Sequence, residues 1–145
     1  MMLPTFRADE QGDWALLRDQ VLVAEAAGVD RIAVSDHVVF GENLEAYGDP
    51  TIGGIAGGRQ PTGPDGHWLE PFTVLTWAAG FTEQIRLCTY ILIAALRRPV
   101  VLAKELATLD VLSGGRVDLG VGLVFLRERP LEFFLADLPL FAELF

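Results

Sequence analysis

The stretch Gly28-Val29-Asp30-Arg31-Ile32-Ala33-Val34-Ser35-Asp36-His37 narrows the possible folds more than any other part of the chain. A glycine closes a helical pattern, three apolar residues follow without alternation, and three polar residues emerge directly behind them. A short unbroken apolar run fits a strand covered on both faces, as in a parallel α/β sheet. In such sheets, sites assemble at the C-terminal edges of the strands. Ser35, Asp36 and His37 deliver a hydroxyl, a carboxylate and an imidazole to that edge, so any chemistry is expected there.

The flanking segments agree with a parallel sheet. Leu3-Pro4-Thr5-Phe6 reads as the exit of a strand whose beginning is absent. Asp13 is placed to cap a helix in which Trp14, Leu17, Val21 and Ala24 recur at helical spacing up to Gly28. From Val38 to about Leu69 the chain is dense in Gly and Pro and lacks periodicity, which predicts a long functional loop or lid. Glu70-Pro71 starts a second helix, running to about Phe81, with proline at its first position. Ile85 to Ile93 forms a second apolar strand. Pro99 opens a third helix with Val100, Ala103, Lys104, Ala107 and Val111, stopped by Ser113-Gly114-Gly115, and Arg116 to Val121 forms a third strand. Helices alternating with apolar strands imply one parallel α/β domain across residues 1–145.

Composition limits the partners. With 20 acidic against 11 basic residues the formal net charge is -9, which argues against nucleic acid and anionic membrane surfaces. The longest apolar run, Leu87 to Leu96, is about half of what a membrane span requires. Met1-Met2-Leu3-Pro4 lacks the features of a secretion signal, and Cys88 is the single cysteine, so the expected location is a reducing cytoplasm. Cys88 reads as a small buried residue. Arg97-Arg98 reads as a solvated pair ahead of a helix, with phosphate binding as the alternative. His67 reads as a loop residue, and no fixed spacing joins Asp36, His37, Glu42, His67 and Glu70 into a metal motif. Gly120-Val121-Gly122 lacks the third glycine of a dinucleotide fingerprint, and instead marks a turn where backbone passes close to a ligand or neighbour.

Four segments together carry a family resemblance. They are Val34-Ser35-Asp36-His37-Val38, the loop ending Pro61-Thr62-Gly63-Pro64-Asp65-Gly66-His67-Trp68-Leu69-Glu70-Pro71, Leu96-Arg97-Arg98-Pro99-Val100-Val101-Leu102-Ala103-Lys104, and Ala107 through Leu112-Ser113-Gly114-Gly115-Arg116-Val117-Asp118-Leu119-Gly120-Val121-Gly122. The chain resembles the luciferase-like flavin and deazaflavin oxidoreductases from about Leu3 to Gly122. The resemblance implies a partial (β/α)8 TIM barrel, with hydride transfer between a small organic substrate and a deazaflavin coenzyme or FMN. It assigns cofactor contact to Asp36 and the proton-exchanging catalytic role to His37. Tyr90-Ile91 falls where the family often has a non-proline cis peptide beneath the cofactor ring, and Gly122 belongs to a loop approaching the same ring.

The departures also carry expectations. Cys88 and Tyr90 stand where small residues are usual, and Leu123-Val124-Phe125-Leu126 replaces the usual continuation after Gly122. Residues 123–145 then form a divergent apolar tail, as in a truncated or frameshifted product. The competing reading is a non-catalytic fragment that only self-associates. Strands of an open barrel leave interior-facing side chains such as Ile91, Ile93 and Val117 uncovered, which predicts a homodimer or higher oligomer.

Overall fold

The computed structural model describes residues 1–7, 14–38, 49, 51, 62, 63 and 66–122. The expected loop from Val38 to Leu69 lies largely outside these residues, and Asp13 and the tail 123–145 lie wholly outside them.

The chain runs β1 (Phe6–Arg7), α1 (Ala15–Ala26), β2 (Arg31–Val34), β3 (His67–Trp68), α2 (Pro71–Ala79), β4 (Arg86–Leu92), a 3-10 turn (Ala94–Leu96), α3 (Pro99–Ser113) and β5 (Val117–Val121). The central sheet has the order β2-β4-β5, and both pairings are parallel. Residues ahead of β1 continue it on the far side of β2: Met2 bridges Ala33 in parallel, and the Leu3 N–H donates to the Ala33 carbonyl at 2.9 Å. The fold is therefore α/β with a parallel sheet, as the alternation of helices and apolar strands predicts.

Local chemistry explains where the elements stop. Gly28 sits at φ +72° just past α1, and Gly114 at φ +71° closes α3, left-handed positions that favour glycine. Pro71 and Pro99 stand in the first turns of α2 and α3, where the missing N–H is no loss. The Glu70 side chain caps α2 by accepting from the Thr73 N–H at 2.7 Å. At α1 the capping residue is Trp14, which makes no side-chain capping bond. The helix after Pro71 ends at Ala79, two residues short of the predicted Phe81.

Leu17, Val21 and Ala24 of α1 meet Ile32 and Val34 of β2, Leu75 and Ala78 of α2, Leu87 of β4, and Leu102, Leu106 and Leu109 of α3 in one buried cluster. Each large side chain so buried is worth roughly 1.5–3 kcal/mol, and together they fix the helices against the sheet. Cys88 is buried in β4, and burial pushes its thiol pKa up. Two sequence expectations need correction. Val117 is not left open, because it packs against the core. The stretch before Glu70 also contains β3, which pairs antiparallel with β1 as Phe6 with Trp68 and Arg7 with His67, so His67 is a strand residue. Two-residue strands carry no periodicity, and only the partner strand defines them.

Candidate functional site

Three parallel strands end at the same edge, and an irregularity there shapes the surface. Along β4 and β5 the register runs Leu87–Val117, Cys88–Asp118 and Thr89–Leu119, then shifts so that Leu92 faces Val121. Three steps on β4 match two on β5, and the additional residue turns side chains out of their regular alternation. The shift spans Tyr90–Ile91, whose peptide bond is cis. Both side chains are exposed, 63% for Tyr90 and 47% for Ile91. The Thr89 hydroxyl repairs the ladder by donating to the Gly120 carbonyl at 2.9 Å and accepting the Gly120 N–H at 3.0 Å.

Both glycines of β5's exit serve this packing. A Cβ on Gly120 would lie 2.3 Å from the Thr89 carbonyl oxygen, and one on Gly122 would lie 2.2 Å from Cδ1 of Ile91. Gly122 therefore lies buried beside Ile91, which fills the space next to it.

At the exit of β2, Asp36 and His37 diverge. The Asp36 carboxylate is buried, accepting from the Ile93 N–H at 2.8 Å and from both terminal nitrogens of Arg97, the Nη2–Oδ1 contact being 3.1 Å. Arg97 also donates to the Ile93 carbonyl and to Glu70 Oε1, each at 3.2 Å. Its side chain is only 15% exposed. Burial works against the Arg97 charge, but Asp36 and Glu70 more than offset it and hold its pKa above the ordinary value. The prediction of a solvated arginine pair is thus wrong for Arg97. Its partner lies 61 positions earlier, a separation that local sequence cannot reveal.

His37 is half-buried with its ring 3.9 Å from that of Trp68, and Trp68 stacks on Phe6 at 4.6 Å. Trp68 is itself oriented by its Nε1–H, which donates to Thr62 Oγ1 at 2.9 Å. Burial pushes the His37 pKa below its usual value, and the neighbouring Asp36 charge only partly restores it. A cavity of about 590 Å³, within the range of small-molecule sites, is lined by His37, Trp68, Glu70, Arg97, Arg98 and Leu102 among others. Tyr90, Ile91 and Gly122 lie outside its lining. Asp36 links the two regions, because it grips the backbone at Ile93, two residues past the cis bond.

A flavin or deazaflavin ring is flat and largely apolar with a polar edge, and the residues present fit one. Tyr90 and Ile91 offer exposed apolar surface, and His37 stands at the adjacent strand exit. The Ser35 Oγ is buried without a hydrogen-bond partner among the described residues. Sequence reasoning missed Trp68 as a site residue, and weighed Glu70 only as a metal ligand and Arg97 only as a phosphate binder. Trp68-Leu69-Glu70-Pro71 was visible as the entrance to α2, but its proximity to His37 depends on the β1–β3 pairing.

A sequence profile of the luciferase-like monooxygenase family matches residues 1–123. An F420-dependent glucose-6-phosphate dehydrogenase from Kineococcus radiotolerans is 31% identical over 107 residues, covering 73% of this chain and 26% of that protein. Among solved structures, monooxygenase RslO1 from Streptomyces bottropensis superposes with a TM-score of 0.55 at 25% identity, over 91% of this chain and 36% of that one. An F420-dependent secondary alcohol dehydrogenase bound to an F420-acetone adduct shares the fold, with a TM-score of 0.57 at 20% identity over 83% of this chain and 33% of that one. The chain spans about a quarter to a third of the length of these proteins.

Proposed function

The chain belongs to the luciferase-like monooxygenase family, and from that premise we propose that it serves an oxidoreductase by setting an acid–base group beside a flavin or deazaflavin ring. The substrate is a small organic molecule. When bound, the ring supplies the hydride acceptor or donor. The observation that carries the reading is His37, a half-buried imidazole packed on Trp68 at the C-terminal edge of a parallel strand, beside a cavity of about 590 Å³.

His37 is the proton-exchanging catalytic residue. Burial keeps its imidazole neutral near pH 7, so it can accept a hydroxyl proton from substrate. Trp68 packs against one side of the imidazole. Asp36 serves cofactor binding by holding Ile93 and Arg97, which fixes the segment just after Tyr90–Ile91. Tyr90 and Ile91 present the surface for the ring, and Gly122 leaves the space into which Ile91 packs. The formal net charge of -9 disfavours nucleic acid as a partner. No helix among the described residues is long and apolar enough to cross a membrane.

Titration with FMN and with the deazaflavin, following ring absorbance and fluorescence, tests the reading. Weak binding, at micromolar concentrations or above, is expected. His37→Ala should reduce turnover more than affinity, and Asp36→Ala the reverse. Negligible effects of both contradict the assignment.

A second reading, a non-catalytic chain that self-associates, draws on a specific observation. Tyr90, Ile91, Leu119 and Val121 are 42–63% exposed on β4 and β5, and Val100 and Val111 are 77% and 79% exposed on α3. Covering a fully exposed side chain of this kind gains roughly 1.5–3 kcal/mol and a half-exposed one about half as much, so a homodimer or higher oligomer belongs to both readings. Light scattering coupled to size-exclusion chromatography should show a species larger than the monomer. A dispersed monomer at micromolar concentration contradicts it.

A further inference from the structure

We infer that Arg97 is a positioning residue for His37: its guanidinium claims the Asp36 carboxylate, which leaves the adjoining imidazole to exchange protons instead of being held as an imidazolium paired with Asp36. The inference rests on the proposed proton-exchanging role of His37.

Asp36 and His37 are consecutive, and a carboxylate beside an imidazole ordinarily captures its charged form. Here geometry diverts the carboxylate. Oδ2 receives the Ile93 N–H and Nη1 of Arg97, while Oδ1 receives Nη2, so both oxygens are engaged by a fork and a backbone donor. The carboxylate is 1% exposed. The fork is itself fixed from two further directions, by the Ile93 carbonyl and by Glu70, the residue that caps α2. Arg97 thus ties the exits of β2 and β4 to the start of α2, and its position decides which way Asp36 points.

Among the described residues, the other charged groups lining the cavity with His37 come from the starts of α2 and α3 and from α3 itself. Glu70 at the head of α2 shares the same guanidinium, while Arg98 and Glu105 bring one charge of each sign from α3. Among these described groups, Asp36 is the one whose charge acts on the imidazole. The lowered His37 pKa agrees with this arrangement, since burial outweighs the Asp36 charge.

The test follows the His37 imidazole Hε1 resonance against pH in the full chain, with a His67→Gln background to separate the two histidines. Arg97→Gln removes the fork, leaving Asp36 the Ile93 N–H as its described partner, and should raise the His37 midpoint by about one pH unit, roughly a tenfold gain in proton affinity. Arg97→Lys, which keeps the charge without the fork, should raise it by less. Asp36→Asn should lower it. A role confined to stability would lower the melting temperature of the arginine variants and leave the midpoint in place. That result in a folded Arg97→Gln chain overturns the inference, and if that variant does not fold, an unchanged midpoint in Arg97→Lys does so. No cofactor is needed for the readout. A shifted midpoint in a chain that binds neither FMN nor the deazaflavin would sustain the inference and sink the proposed function.

Discussion

The two ends of the central sheet use the same kinds of residue to opposite purposes. At the N-terminal end, polar side chains are consumed by the fold. Buried Arg116 donates to the Ser113, Thr82, Ile85 and Ala79 carbonyls and to Thr82 Oγ1 at 2.7–3.3 Å. Glu25 Oε1 accepts the N–H groups of Glu83, Gln84 and Ile85 at 2.7–3.1 Å, binding α1 to the turn before β4. At the C-terminal end, Asp36 and Arg97 are also paired, yet His37, Arg98 and Glu70 line a cavity and Tyr90 and Ile91 stand exposed. One end closes the structure, and the other leaves side chains exposed around a cavity. In barrel folds that division separates stability from activity.

Arg116→Met is the strongest way to break the comparison. It leaves several buried carbonyls without a donor and should cost about 3 kcal/mol or more, a large part of a domain's 5–15 kcal/mol. Urea unfolding would show the loss, and a change under about 1 kcal/mol would mean that this end is not the fastening claimed.

Gly120→Ala comes next, because its Cβ would meet the Thr89 backbone, which has little room to yield. A loss of about 1–3 kcal/mol is expected. Gly122→Ala should cost less, since its nearest neighbour is the end of the Ile91 side chain. Equal losses in thermal melts would contradict the packing described at the cis bond.

Glu25→Gln should cost about 1 kcal/mol. Burial alone would raise the Glu25 pKa, but three backbone N–H groups and the Arg116 charge lower it below 4.5. The carboxylate's contribution is thus present above pH 4.5 and is lost as the pH falls through the folded value. The variant should flatten the acid limb of a stability curve in that window.

His37→Ala should have the smallest effect on stability, within about 0.5 kcal/mol at pH 8. The folded His37 pKa is depressed, so the unfolded chain binds the proton more readily, and stability declines as the pH drops below 6.5. Melts between pH 8 and pH 5 should show that decline in the native chain and a shallower one in the variant.

Sequence patterning reveals these two ends unequally. Ile32 to Val34, the glycines at 28 and 114, and the prolines at 71 and 99 specify the parallel framework through local chemistry alone. The placement of Asp36 and His37 at a strand exit follows from the same run. Their partners do not, because Arg97 reaches Asp36 over 61 positions and Trp68 reaches His37 through a two-residue strand. An arginine between a strand and a helix looks alike whether it faces water or a buried carboxylate. Only the packing of α2 and α3 against the sheet decides.

Mapping amide chemical shifts while titrating the chain with the deazaflavin, or with FMN, tests most directly whether the C-terminal edge is the ligand site. The account predicts changes concentrated at residues 35–37, 68–70 and 90–97, with residues 82–85 and 113–116 unmoved. Changes centred on the Arg116 end, or spread evenly over both, would contradict it.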